Sequence, residues 1–352
     1  MQNYLRLYKG KKVFVTGHTG FKGTWMVHVL KYLGAEVAGY SLEAPTDPSF
    51  FEKSGIESQI TSYIGDIRDL KHLKAAVDDF KPEIVIHMAA QPIVRESYKD
   101  PVYTYDTNVM GTVNILEAVR LQPSVKSFVN VTTDKVYRNN EWEWGYREND
   151  ILDGYDPYSN SKSCSELVTA SYVRSFFGEN TTAVSTCRAG NVIGGGDYAI
   201  DRIIPDCIRA MEQKKVIIVR NPYSTRPYQH VLEPVCAYLY IAMRQLQDNS
   251  IAGNYNIGPD EKDCVTTGQL VDIFCDIWQD AAQWKDVSEQ NAPHEAGFLK
   301  LDCSKIKTKL GWRSRWEIGT AIKKTIEFAK ADMEKSDIKD VIYSQIKEYL
   351  EA

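Results

Sequence analysis

Among the 352 residues there is no CxxC pair. The seven cysteines, Cys164, Cys187, Cys207, Cys236, Cys264, Cys275 and Cys303, are scattered, so neither a zinc ribbon nor a disulfide framework finds support and reduced packing residues are expected. No metal site is expected either. Positive charge is not in excess: 42 Lys and Arg against 47 Asp and Glu leave a formal net charge of -5. That balance lacks the broad basic field of nonspecific nucleic-acid binding, and no nucleic-acid partner is expected. No apolar run reaches the length of a membrane span, and Met1 to Gly10 carries no basic-then-apolar leader pattern, so the expectation is a cytoplasmic protein with no membrane partner. Repeats and low-complexity tracts are lacking too.

What is present is core-forming material. A hydrophobic fraction of 43% suffices for one large domain or two closely joined lobes. Short β-branched runs, Val13-Phe14-Val15, Glu36 to Tyr40, Ile84 to His87, Ser127 to Val131 and Thr182 to Cys187, alternate with longer amphipathic stretches. This rhythm predicts an α/β fold, a doubly wound parallel Rossmann sheet covered by helices on both faces. Beyond Asn191 the rhythm changes, with Gly194-Gly195-Gly196 and Asn221 to Pro227 marking loops. The expected division is a dinucleotide-binding domain over 1–190, to which 228–259 returns, and a smaller lobe over 191–227 and 260–352. The tail from Ile318 reads as amphipathic surface helix.

The first apolar run leads into Thr16-Gly17-His18-Thr19-Gly20-Phe21-Lys22-Gly23 and then a helical pattern. Gly17, Gly20 and Gly23 sit at a strand-to-helix turn, where glycines let the backbone approach a pyrophosphate and the helix N-terminus offers oriented amides. The alternative is a plain glycine-rich turn; the strand-turn-helix context favours a dinucleotide. The second strand ends at Tyr40-Ser41-Leu42-Glu43, where Glu43 comes slightly late to hold a ribose 2'-hydroxyl. No arginine follows to pair with a 2'-phosphate, although Lys22 could approach one, and NAD is expected over NADP.

Two further segments carry chemistry. Tyr158-Ser159-Asn160-Ser161-Lys162 places a phenol and an ammonium one helical turn apart, and a nearby ammonium lowers a tyrosine's pKa toward use as a base. Alone, such a pair is more often a surface pair. Thr132-Thr133-Asp134-Lys135 follows a strand at the carboxyl edge where α/β sheets bind ligands; it offers a hydroxyl, an acid and an amine in a row, or alternatively a solvated turn.

These motifs, together with Gly65-Asp66-Ile67-Arg68-Asp69, His87-Met88-Ala89-Ala90-Gln91, Asn108 within Thr107 to Thr112, and Arg188-Ala189-Gly190-Asn191-Val192, occur in the order that resembles the extended short-chain dehydrogenase/reductases over nearly the whole chain. The resemblance implies that Gly17, Thr19, Gly20, Phe21, Lys22 and Gly23 hold NAD, with Asp66 and Ile67 flanking adenine. Ala89, Ala90, Gln91, Asn108, Thr132, Tyr158, Lys162 and Arg188 would complete the cofactor site. The Thr133 segment is similar to that of sugar-nucleotide 4,6-dehydratases, with Lys135 where these usually carry Glu. That departure, and the run Arg220-Asn221-Pro222 to Pro234, resemble the branch acting on CDP-glucose.

The implied catalytic set is Thr133, Asp134, Lys135, Tyr158 and Lys162, with Thr133, Asn191, Arg202, Arg226 and His230 on the nucleotide sugar. Tyr158 would take the proton of the hexose 4-hydroxyl, Lys135 directly or through water would take that of carbon 5, and Asp134 would protonate the leaving 6-hydroxyl. Asp134 beside it favours the charged form of Lys135, which opposes the base role. Solvated charges at Arg202 and Arg226 and a buried structural histidine at His230 remain open. A homodimer paired through the helices of the Asn108 and Tyr158 regions, serving deoxysugar synthesis for lipopolysaccharide, is also implied. The rivals are a sugar-nucleotide epimerase, a dehydratase for another nucleotide sugar, and a noncatalytic NAD-binding regulator.

Overall fold

The computed structural model describes residues 1–178, 182–280, 282–288 and 297–352. Successive residues of the apolar runs face opposite sides of one sheet. In β1 (Lys12–Thr16), Val13 and Val15 pack under one face of the sheet while Phe14 packs under the other. The same split places Ile84 and Ile86 opposite Val85 in β4 (Ile84–His87), and Val129 and Val131 opposite Phe128 in β5 (Ser127–Val131). Strands apolar on both faces need a cover on both faces, and helices provide it.

In chain order the elements around this sheet are α1 (Phe21–Tyr32), β2 (Glu36–Ser41), β3 (Thr61–Ile64), α2 (Leu70–Phe80), β4, α3 (Gly111–Leu121), β5, α4 (Pro157–Phe176) and β6 (Ala183–Ala189). There follow α5 (Ile203–Glu212), α6 (Leu232–Gln247), β7 (Asn254–Ile257), α7 (Thr267–Trp278), α8 (Ile318–Met333) and α9 (Ile338–Glu351). The seven-stranded sheet runs β7-β6-β5-β4-β1-β2-β3, with parallel pairing throughout. Between β1 and β4 the order reverses, which opens a crevice at their carboxyl ends. There Thr16 Oγ1 lies 2.8 Å from His87 Nδ1 and accepts from the amides of Met88 (3.0 Å) and Ala89 (3.1 Å), tying the two strand ends together.

A second core gathers Ile204, Cys207, Ile217, Val219, Leu270, Phe274 and Ile322 from α5, α7, α8 and a short strand, Ile217–Val219. Phe328 of α8 belongs to the main core and packs on Gly195, where any Cβ would stand 1.9 Å from its ring, and Trp25 Nε1 donates to the Gly195 carbonyl at 2.9 Å. All seven cysteines are free.

The tail differs from the expected surface helix. It forms two helices, and the last does not belong with the second core: Ile342, Ile346 and Tyr349 of α9 are fully buried in the cluster containing Trp25 and Val29 of α1. Its anchor is polar and distant in sequence. Glu233 accepts from Tyr349 Oη at 2.7 Å and from the amides of Arg315 and Trp316. Among the described residues no helix is long and apolar enough to cross a membrane.

Candidate active site

A cleft of about 1190 Å³ opens along the carboxyl edge of the sheet, walled on its far side by the second core's loops. Its floor is the glycine turn. Gly17 has φ +78°, and a Cβ there would lie 2.9 Å from the Ala89 nitrogen; at Gly23 it would lie 2.0 Å from the Gly17 carbonyl oxygen. Both positions therefore require glycine for close backbone approach. Gly20 is different: the nearest atom to a Cβ there is 3.6 Å away, and it caps α1 with no side-chain hydrogen bond. The first amides of a twelve-residue helix are thus left for an anionic ligand, so the turn fits the pyrophosphate of a dinucleotide.

Thr19, Phe21 and Lys22 line the cleft beside it, as do Asp66, Ile67, Ala89, Ala90 and Gln91. Thr19 bonds Ser41 Oγ (2.9 Å) and donates to the Leu42 carbonyl (2.9 Å), and Ser41, Leu42 and Glu43 also face the cleft. Enclosure lowers the Lys22 ammonium to about 8, helped by Arg202 and opposed by Asp134.

Thr132, Thr133, Asp134, Lys135, Tyr158 and Lys162 all line the same cleft. Asp134 is buried; Thr133 Oγ1 donates to its Oδ1 at 3.0 Å, while its Oδ2 has no hydrogen-bond partner among the described residues. Burial raises its carboxyl above its ordinary value, against the pull of Lys135, Thr133 and Arg226. Lys162, 4% exposed, donates to the Val131 carbonyl at 3.3 Å. Burial first and Lys22 second lower its ammonium to about 8, against the pull of Glu166.

The expected depression of the Tyr158 phenol is not found. Loss of water pushes it up to about 12, outweighing the Thr133 hydrogen bond that favours its ionised form. The neighbouring ammonium does not overcome desolvation in the protein without ligands.

Three expected site residues stand back from the cleft. Arg188 is buried on Glu166, with Nε to Oε1 at 2.8 Å and Nη2 to Oε2 at 2.7 Å, and does not line the cleft. His230 is wholly buried between Trp25 and Trp316, its imidazole lowered to about 3 chiefly by burial, and it is a neutral core group. Asn108 acts one layer behind: its side chain accepts from the Gln91 amide (2.8 Å) and donates to the Gln91 carbonyl (3.1 Å) and to Ser161 Oγ (2.9 Å). It sits in a π-helical turn, Asp106–Met110, a device that recurs at functional sites.

Asn191, Arg202 and Arg226 do line the cleft. Arg202 pairs with Asp197 at 2.9 Å, and Arg226 is 2% exposed. Sequence reasoning missed Arg95, Arg220, Tyr103, Ser224, Tyr228 and Thr267, which face the same space. Arg220 pairs with Asp201 at 2.6 Å, and Thr267 Oγ1 lies 3.0 Å from both Ser224 Oγ and Tyr228 Oη. Arg220, Ser224 and Tyr228 carried a signal, all lying in the run from Arg220 to Pro234.

The sequence profile of a family described as GDP-mannose 4,6 dehydratase matches residues 14–325. The chain belongs to that family. A relative in this dehydratase family, CDP-glucose 4,6-dehydratase of Salmonella typhimurium strain LT2, is 47% identical over 98% of each chain. Among solved structures, the fold is similar to dTDP-glucose 4,6-dehydratase from Bacillus anthracis in complex with NAD, with TM-score 0.77, 21% identity and 93% and 99% of the two chains covered. It is also similar to UDP-glucose 4-epimerase from Thermotoga maritima with UDP-glucose, with TM-score 0.78, 22% identity and 92% and 99% covered. At these identities the two structures speak for the fold, which dehydratases and epimerases share.

Proposed function

We propose that this member of the dehydratase family is an NAD-dependent CDP-glucose 4,6-dehydratase, a lyase converting CDP-D-glucose to CDP-4-keto-6-deoxy-D-glucose and water. The observation that carries the reading is the 47% identity, end to end, to the Salmonella enzyme of that name. The site chemistry supports it, since a buried acid whose pKa is raised stands beside a hydroxyl and an amine in the cleft that also holds the YxxxK pair.

Gly17, Gly20, Gly23 and the α1 amides hold the NAD pyrophosphate, with Thr19, Phe21, Lys22, Asp66, Ile67, Ala89, Ala90, Gln91, Thr132 and Lys162 along its length. When bound, NAD would supply a positive charge that favours the phenolate of Tyr158 and a two-electron acceptor and donor of hydride for the sugar. Tyr158, oriented by Thr133, receives the proton of the 4-hydroxyl as that carbon becomes a ketone. The ketone acidifies carbon 5, whose proton passes to Lys135 acting as the free amine, directly or through water, and a proton returns to carbon 5 as hydride reaches carbon 6. Asp134 gives its proton to the 6-hydroxyl, which leaves as water. Asn191, Arg202 and Arg226 hold the nucleotide diphosphate by charge-assisted hydrogen bonds worth about 1.5 to 3 kcal/mol each.

The first lobe, 1–190 with 228–259, is the NAD-binding unit, and 191–227 with 260–352 the sugar-nucleotide unit, except that α9 packs on α1 of the first. A cytoplasmic homodimer serving deoxysugar synthesis for lipopolysaccharide completes the reading. The apolar Met110, Leu121, Leu167 and Phe176, exposed on and beside α3 and α4, support the dimer. Water loss from CDP-glucose on incubation with NAD tests the function; its absence with turnover of another sugar nucleotide contradicts the substrate.

A further inference from the structure

The tightest buried charge pair beside the cleft belongs to none of the assigned roles. Glu166 and Arg188 are 2% and 1% exposed in their side chains and meet through a two-point contact, Nε to Oε1 at 2.8 Å and Nη2 to Oε2 at 2.7 Å. Glu166 lies on α4 one turn after Lys162, itself one turn after Tyr158, so the three share a helix face. Its carboxylate accepts from Thr132 Oγ1 at 2.6 Å and from Thr186 Oγ1 of β6 at 2.9 Å. Thr132 immediately precedes Thr133 and Asp134. From its other side Arg188 donates to Tyr137 Oη at 2.7 Å and to the Glu148 carbonyl at 3.0 Å, and Tyr137 closes the turn that carries Lys135. Tyr137 in turn donates to Asn256 of β7 at 2.6 Å.

A buried ion pair is poor support for a stability role, because desolvating both charges consumes most of what their attraction returns. This pair instead adds a buried two-point link between the two halves of the proposed catalytic set, the Tyr158-Lys162 helix and the Thr133-Asp134-Lys135 turn, which come from separate elements and also meet where Ser163 Oγ donates to the Val136 carbonyl at 2.7 Å and where Thr133 hydrogen-bonds the Tyr158 phenol. We propose that Glu166 and Arg188 are positioning residues for the dehydration, a buried clamp that sets the Tyr158 phenol against Thr133 and Asp134 without touching substrate or cofactor. Angular precision is what a two-point carboxylate-guanidinium contact supplies and an apolar contact does not. The inference rests on the 4,6-dehydratase reading of the cleft.

The test is the double variant Glu166→Leu/Arg188→Met, which removes both charges with little change in volume, alongside Glu166→Gln, which strands the guanidinium. Melting temperature, NAD affinity by fluorescence, and KM and kcat for water loss from CDP-glucose are measured on the full chain. The double variant is expected to stay folded, with NAD affinity and KM within about threefold of the parent, while kcat falls about 100-fold, the loss an ångström-scale misplacement causes. Glu166→Gln is expected to lose both stability and kcat. A folded double variant with kcat within twofold of the parent overturns the proposal, as does a double variant that fails to fold, which would make the pair part of the fold alone. If the parent itself leaves CDP-glucose unchanged, the substrate assignment fails; the clamp is then judged by the same kcat and KM comparison on whichever of dTDP-glucose, UDP-glucose or GDP-mannose the parent dehydrates.

Discussion

Asp134 and Lys135 are adjacent in sequence and unequal in surroundings: the acid is 1% exposed with its carboxyl raised by burial, the lysine is half-buried at the cleft wall. The proposed roles diverge accordingly, and deuterium separates them. In D2O, Asp134→Asn is expected to exchange the carbon 5 hydrogen of CDP-glucose while water loss drops by about 10²- to 10⁴-fold, the usual contribution of a positioned acid. Lys135→Met is expected to stop both exchange and water loss with NAD binding intact, and full turnover by that variant removes Lys135 from the mechanism. Charge was the least legible property at this scale. An arginine is expected at a surface or on a ligand, and nothing local to Arg188 points to Glu166, 22 residues earlier; likewise Thr16 and His87 meet only because β1 and β4 are neighbours in the sheet.

The strand-turn-helix unit β1-α1 is where local sequence said most, because both its glycine constraints and its apolar alternation act within a few residues. A methyl at Gly23 would displace the Gly17 carbonyl, at a strain of about 1–3 kcal/mol. Gly23→Ala is therefore expected to weaken NAD binding by about 5- to 150-fold, with unchanged affinity in a fluorescence titration as the contrary result. β1, β4 and β5 were readable as β-branched runs bounded by polar residues. β3 was not: Thr61–Ile64 has no fully buried residue, and an edge strand with one neighbour lacks the two-sided apolar pattern. The π-helical turn under Asn108 left no trace in the sequence at all, since the same residues fit a regular helix.

At the scale of the molecule, four imidazoles are held neutral by burial: His18 and His28 lowered to about 4, His87 and His230 to about 3. A depressed histidine favours the unfolded chain once that chain protonates. Their contribution is thus complete above the ordinary value of about 6.5 and is lost as pH falls from there toward about 4 for His18 and His28 and about 3 for His87 and His230. His28 sits where α9 docks on α1, between Phe50 and Tyr343 with no partner for either ring nitrogen among the described residues. His28→Leu is expected to flatten the fall in melting temperature between those pH values, and an unaltered pH profile would contradict that assignment. The proposed dimer has its own probe: Leu167, 55% exposed on α4, when changed to Asp is expected to turn a dimer into monomers by sedimentation, and a parent that already sediments as a monomer contradicts the proposal. The docking of α9 was hidden from sequence because its partner Glu233 lies 116 residues away.

The central claim is tested most directly by incubating the purified chain and NAD with CDP-glucose, dTDP-glucose, UDP-glucose and GDP-mannose separately and following mass. Loss of one water from CDP-glucose alone is the predicted result. Loss of water from another of the four in its place would keep the chemistry and contradict the nucleotide assignment, and no loss from any would contradict the dehydratase reading itself.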